Sequence, residues 1–297
     1  MAYTICCDIG GTKINTGIVR NNRVFSKHKI LTEKKKGLDH LLKTIRLALE
    51  AYRPQKAEGI GISFAGPVEN GVILEATNFP SYIRNVNLQK IIGGWFKKPV
   101  SVEHDGKCFT LAESIIGEAK KYDFVLGLTL GTGVGGGLVI NNKIYRGRHN
   151  LMETGHFKIT EKGFQCSCGH FGHFESQVSG PALTRYFRRF SGKNLAGEEI
   201  HELAKAGDKK ALAAAEIMSR YLAIGLGNLI NTLSPDIIVI GGSVAQFQEI
   251  IDLAKKKLAG EIIYARHQKV RIVKSKLGDD AQLLGASLLI KNHYSLI

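Results

Sequence analysis

The stretch Thr4-Ile5-Cys6-Cys7-Asp8-Ile9-Gly10-Gly11-Thr12-Lys13-Ile14 reads as a short β-rich run, a glycine turn and the start of a second apolar run reaching residue 19. Asn21-Asn22 then turns the chain into a third strand, so the order is strand, glycine turn, strand, hairpin. The pattern recurs downstream. Residues 124–130 read as a strand, Gly131-Thr132-Gly133-Val134-Gly135-Gly136-Gly137 as a turn, residues 138–140 as a strand, and Asn141-Asn142 opens another hairpin. The likeness is architectural and predicts two related half-structures. Residues 38–52, 108–116, 181–190, 198–206, 209–230, 247–258 and 281–291 carry helical spacing, while 59–64, 100–102 and 236–240 read as strands. Alternating strands and helices predict an α/β fold.

The chain has 297 residues, enough for about two domains with real cores. A boundary is expected near residue 116. Residues 1–115 with 281–297 form a small lobe holding the first glycine loop, and 116–280 form a large lobe. No apolar run approaches the ~18–20 residues that span a bilayer, and residues 1–7 lack the features of a signal peptide, so a cytoplasmic location is expected. Five cysteines, three of them (Cys6, Cys7, Cys108) in apolar settings, argue against a disulfide framework. The formal charge of +15 favours anionic partners. The basic runs are nevertheless scattered and lack interleaved aromatics, as solvated faces do.

Glycine turns after strands let backbone N–H groups approach phosphate oxygens with no Cβ in the way. Gly131, Gly133 and Gly136 satisfy the dinucleotide spacing, but a strand follows where that fingerprint needs a helix, which excludes a nicotinamide site. No Walker-type loop is present. Two hairpins clamping a phosphate chain fit better. Gly10, Gly11, Gly131 and Gly133 would offer backbone donors, Thr12 and Thr132 hydroxyls, and Asp8 a carboxylate for Mg²⁺ through water. Ordinary tight hairpins are the alternative.

Asp105, in Glu103-His104-Asp105-Gly106-Lys107, follows a short strand and precedes a helix. Its carboxylate either receives a proton in phosphoryl transfer or simply caps the helix. His156, Cys166, Cys168 and His173 are the soft thiolates and imidazoles of a closed tetrahedral zinc site. Their alternative is two buried thiols beside incidental histidines, and His149 and His170 are read as surface or supporting groups.

Asp8–Lys13, Leu130–Gly137 and Cys166-Ser-Cys-Gly-His-Phe-Gly-His-Phe-Glu175 together resemble the ROK family of sugar kinases and repressors, in order and over nearly the whole chain. The resemblance implies an actin-like (ribonuclease H-like) ATPase fold of two lobes with a cleft. It also implies transfer of a phosphoryl group from MgATP to a hexose, glucose foremost. Lys13 belongs to the first phosphate motif, and Gly241-Gly242 would lie against adenosine. Asp105 aligns with the aspartate of the family's Glu-Asn-Asp, the general base. Glu153, His156 and Glu175 resemble sugar ligands, with Asn78 and His104 as further hydroxyl partners. His156, Cys166, Cys168 and His173 resemble the family's structural zinc ligands, and a homodimer is implied.

Three residues depart from the family pattern: His104 and Lys107 each replace an asparagine, and His173 replaces a cysteine. N-acetylmannosamine, N-acetylglucosamine, fructose and allose remain open as substrates, and polyphosphate as a donor. A sugar-responsive repressor is disfavoured because the first turn begins at residue 8, ahead of which a helix-turn-helix is not expected. A non-catalytic sugar-binding protein is disfavoured because Asp8, Asp105 and both loops are present.

Overall fold

The computed structural model of the chain describes residues 2–74, 76–77, 79–264, 266 and 269–291. Strand β1 (Thr4–Ile9) is almost wholly buried and runs antiparallel to β2 (Lys13–Arg20), which pairs with β3 (Arg23–Leu31). The β2–β3 connection is Asn21-Asn22 at φ 49° and 56°, the left-handed pair that a two-residue hairpin requires and asparagine tolerates. Helix α1 (Leu38–Glu50) follows, with Leu41, Ile45 and Leu49 on its buried face. The chain then forms β4 (Gly59–Phe64), the short pair β5 (Val68–Glu69) and β6 (Val72–Ile73), and α2 (Leu88–Phe96). Strand β7 (Val100–His104) leads directly into α3 (Asp105–Ile115). The first sheet has the order β3-β2-β1-β4-β7, with β4 parallel to both β1 and β7.

A second sheet repeats this logic. Its strands are β8 (Phe124–Leu130), β9 (Val134–Ile140), β10 (Lys143–Tyr145), β11 (Ile237–Gly241) and β12 (Arg271–Lys274), in the order β10-β9-β8-β11-β12. Asn141-Asn142, at φ 51° and 60°, turns β9 into β10 as Asn21-Asn22 turns β2 into β3. Between β10 and β11 lie α4 (Phe174–Val178), α5 (Gly180–Ser191), α6 (Gly197–Lys205) and α7 (Lys209–Leu233). Helix α8 (Gln248–Leu258) links β11 and β12, and α9 (Ala281–Ile290) follows β12. Asp208 caps α7, its carboxylate accepting from the N–H groups of Lys210 and Ala211.

Two compact units result. One holds the described residues within Met1–Asp123, Gly137–Met152 and Leu277–Ile297; the other holds Phe124–Gly136 and Glu153–Lys276. In the first unit α9 lies against α3 and the sheet at van der Waals limits. A Cβ on Gly285 would overlap the carbonyl of Cys108, and one on Gly61 would overlap that of Ala286. Backbone on both sides leaves nothing free to yield. Gly285→Ala is therefore expected to destabilise the protein by about 3 kcal/mol, read as a lowered midpoint in thermal unfolding.

Candidate functional site

The first sheet sets a row of polar side chains across its strands. In register, Asn15 on β2 lies beside Asp8 on β1, Asp8 beside Ser63 on β4, and Ser63 beside Glu103 on β7. Ser63 Oγ donates to Asp8 Oδ1 at 2.7 Å, and Asn15 Nδ2 donates to Oδ2 at 3.3 Å. Both carboxylate oxygens of Asp8 are thus held in place by the sheet. Burial, and then the charge of Asp105, push the Asp8 carboxyl up to about 6, while Ser63, Asn15 and Lys13 pull the other way. The adjoining turn is equally fixed. Gly10 N–H donates to the Lys13 carbonyl at 3.0 Å, and the buried Thr32 hydroxyl donates to the Gly10 carbonyl at 2.7 Å. Gly11 is half-buried, and Thr12 projects from this turn exposed.

Helix α3 starts at Asp105, earlier than the spacing from residue 108 predicts, so Asp105 sits in its first turn. The cap is instead the buried His104, whose Nδ1 accepts the Gly106 N–H at 3.2 Å. That bond places the ring proton of neutral His104 on Nε2, which lies 3.4 Å from Asp105 Oδ1. Gly106 N–H also donates to Asp105 Oδ1 at 2.7 Å. Desolvation raises the Asp105 carboxyl to about 6 despite these backbone donors. The segment carrying Asn78 cannot be placed beside them, since Asn78 lies outside the described residues.

The second unit gathers the other candidates. Gly131 N–H donates to the Gly133 carbonyl at 2.9 Å, closing the turn, and Thr132 is exposed at its tip. Gly241 pairs with Thr129 at the end of β8. Gly242 follows at φ 90°, where a Cβ would overlap the backbone of Leu130. The glycine turn after β8 and Gly241-Gly242 therefore sit together, and only glycine permits the approach at Gly242.

Segments around His156 and His173 run side by side. Phe174 N–H bonds the Phe157 carbonyl at 2.9 Å and Glu175 N–H bonds the Gly155 carbonyl at 2.8 Å. A knuckle closed by Cys166 N–H to the His170 carbonyl, 2.7 Å, carries both thiols. One ligand atom each from His156, Cys166, Cys168 and His173 falls within 4.8 Å of the others. Cys166 Sγ is 3.5 Å from His156 Nδ1, and Cys168 Sγ is 3.2 Å from His173 Nδ1. Two thiolates and two imidazoles are the donor types of a closed four-coordinate zinc site, and in its chemistry this donor set fits zinc. Without a metal, burial pushes the Cys166 thiol up to about 11. His170 is exposed, 3.6 Å from Cys168 Sγ, and His149 faces Glu69 at 3.4 Å.

Glu175 links this loop to the glycine turn. Its Oε2 accepts the Val134 N–H at 3.0 Å and its Oε1 accepts the Ser167 hydroxyl at 3.1 Å, while a Cβ on Gly133 would overlap Oε2. Glu153 is half-buried, and its carbonyl accepts the His156 N–H at 3.0 Å. Sequence reasoning missed Ser63, Asn15 and Thr32. A serine inside the apolar strand Gly59–Phe64 was the available signal.

Paired five-stranded sheets, each entered through a glycine hairpin, together with a half-buried carboxylate pair, define an actin-like ATPase fold of the α/β class. The ROK family profile matches residues 4–293, and the chain belongs to that family. It is 33% identical to the N-acetyl-D-glucosamine kinase of Yersinia enterocolitica, over 95% of this chain and 97% of that one. A ROK glucokinase from Streptomyces griseus, solved with glucose and AMPPNP, is 30% identical with a TM-score of 0.87, covering 97% and 98% of the two chains. A ROK hexokinase from Thermus thermophilus, also 30% identical, gives 0.78 over 96% and 97%. No helix among the described residues is long and apolar enough to cross a membrane.

The raised carboxyl of Asp105 has a stability consequence. Its folded value of about 6 exceeds the ordinary 3.8, so the folded state holds the proton more tightly than the unfolded chain. The favourable contribution is complete below about pH 4 and lost as pH rises through about 6. Asp105→Asn is expected to unfold at a higher temperature than the parent at pH 7.5, by the equivalent of about 1–3 kcal/mol. That advantage should vanish at pH 4, as denaturant titrations at the two pH values will report.

Proposed function

We propose that the chain phosphorylates a hydroxyl of a hexose or N-acetylhexosamine with MgATP as donor, Asp105 acting as general base. The observation that carries this reading is the carboxylate pair. Asp8 is held by Ser63 and Asn15, and Asp105 is held beside His104 at the start of α3 with a carboxyl near 6. At neutral pH Asp105 is ionised yet basic enough to take a hydroxyl proton as the phosphoryl group arrives. Asp8 would meet the magnesium of MgATP through water, a task for a carboxylate whose orientation is set in advance. With the N–H groups of Gly10 and Gly131 closing their own turns, those of Gly11 and Gly133 would donate to phosphate oxygens, with Thr12, Lys13 and Thr132 assisting, and Gly241-Gly242 would lie along the adenosine.

Glu153, His156 and Glu175 are assigned to sugar hydroxyls, with His104 and Asn78 as further partners. Nδ1 of His156 faces the thiolates, leaving Nε2 for the sugar. Zinc, when bound, would be held by His156, Cys166, Cys168 and His173. Four protein ligands leave no position for activating water, so its contribution is to fix the loop that carries His156 and precedes Glu175. N-acetylglucosamine is placed first among substrates because kinases for it are relatives along the whole chain. Glucose is the second reading, favoured by the Streptomyces griseus glucokinase. Assembly into a homodimer is part of the same proposal.

Coupled ADP release with N-acetylglucosamine, glucose, N-acetylmannosamine, fructose and allose is expected to single out N-acetylglucosamine. Asp105→Asn should lower kcat by about 10²-fold or more while sugar binding persists. Near-normal turnover of that variant would remove Asp105 from the mechanism. Elemental analysis should find zinc at one per chain, and chelation should lower the thermal midpoint; metal-free protein of unchanged stability would sink the zinc assignment.

A further inference from the structure

Lys107 lies in the first turn of α3 and is 1% exposed. Three features make this an unfavourable place for an ammonium. It is removed from water, it sits at the positive end of a helix, and a long side chain has been immobilised. What offsets them is Asn150. Lys107 Nζ donates to the Asn150 carbonyl at 2.7 Å and also, at shorter range, to its side-chain Oδ1. The Asn150 amide in turn donates to Glu103 Oε1 at 2.8 Å and to the Val68 carbonyl. Glu103, likewise 1% exposed, completes the network by accepting from Arg146 Nε at 2.9 Å and Nη2 at 2.5 Å.

Asn150 is also the fixed point of its segment. Gly147, Arg148, His149 and Leu151 are exposed around it, whereas Asn150 is 6% exposed with its carbonyl and both ends of its amide engaged. It holds a left-handed backbone at φ 56°, which redirects the chain. Glu153 follows three residues later in the sequence. A hydrogen-bonded network this complete gives a segment one conformation where a solvated loop has many.

We infer that Lys107 is a positioning residue for sugar binding: through Asn150 it fixes the segment leading into Glu153. It does this from a position where the family pattern has asparagine, whose side chain ends well short of an ammonium's reach. The inference rests on the reading of Glu153 as a sugar ligand.

The test compares the parent with Lys107→Met, Asn150→Ala, their double variant and Glu153→Gln. KM for sugar and for ATP would be measured separately, with thermal midpoints and trypsin nicking after Arg146 and Arg148. Lys107→Met keeps the bulk and removes the donors. The expected result is a rise in sugar KM of about tenfold or more with ATP KM within about twofold. Nicking of Lys107→Met should be faster at an unchanged thermal midpoint. Asn150→Ala should raise sugar KM alike but also lower the midpoint, because it leaves the Lys107 ammonium buried without its side-chain acceptor. In sugar KM the double variant should be no worse than either single one. Sugar KM within about twofold of the parent, or equal losses for both substrates, overturns the positioning role. If Lys107→Met fails to fold, the sugar and ATP KM values of Asn150→Ala decide between the same two outcomes. Should Glu153→Gln leave sugar KM unchanged, the reading of Glu153 falls and the inference with it. Normal behaviour of Lys107→Met beside a defective Glu153→Gln overturns the inference alone.

Discussion

Two half-buried carboxylates, Asp8 and Asp105, repel one another, and the donors that the first unit places around them answer that cost. Isolated buried carboxylates would simply take up protons. Here the sheet supplies Ser63 and Asn15 to Asp8, and the start of α3 supplies the Gly106 N–H and the His104 ring to Asp105. These donors are too few to return either group to its ordinary acidity. The groups are left ionised at neutral pH yet under-compensated, the condition in which a cation and a hydroxyl proton are the most welcome partners. His104 contributes twice, by capping the helix and by keeping its proton on the side facing Asp105. An asparagine offers the same pair of functions with a smaller side chain.

The second unit solves a different problem, holding irregular chain still. The loops that carry its candidate groups have little regular structure of their own. Their order comes from close backbone approaches at Gly133, Gly155, Gly172 and Gly242, each facing atoms that a Cβ would overlap. Glu175 uses one carboxylate oxygen on the glycine turn and the other on the thiol loop. A disturbance of the thiol loop is thereby felt at the turn.

Local chemistry made the skeleton legible. Paired asparagines marked both hairpins, and both fall at left-handed angles. Apolar runs marked β1, β4, β8 and β11, while helical spacing marked α1, α3 and α5 through α9 to within a few residues. Cys166, Cys168, His156 and His173, grouped by chemistry and spacing in the sequence, lie close together. What stayed hidden depends on pairing across strands far apart in sequence. Nothing near Ser63 or Thr32 announces that one will orient Asp8 and the other clamp Gly10. Helix α2, the brief α4 and strand β12 were passed over, being short or placed by tertiary contacts. The return of Gly137–Met152 to the first unit was not anticipated by a boundary drawn near residue 116. Within it Glu103, Lys107 and Asn150 meet, and each alone reads as an ordinary polar residue.

The first unit is assembled from three separated stretches, and α9, near the end of the chain, is wedged against α3 and the sheet through Gly285 and Gly61. During synthesis the second unit emerges whole while the first still lacks its closing helix. A chain stalled before residue 277 would leave apolar surface of β1, β4 and α3 uncovered. Closure of the first unit thus joins its earliest stretch to its latest, a contact of long sequence separation whose loop-closure entropy is met only after the intervening chain exists, and until then those apolar faces are open to aggregation.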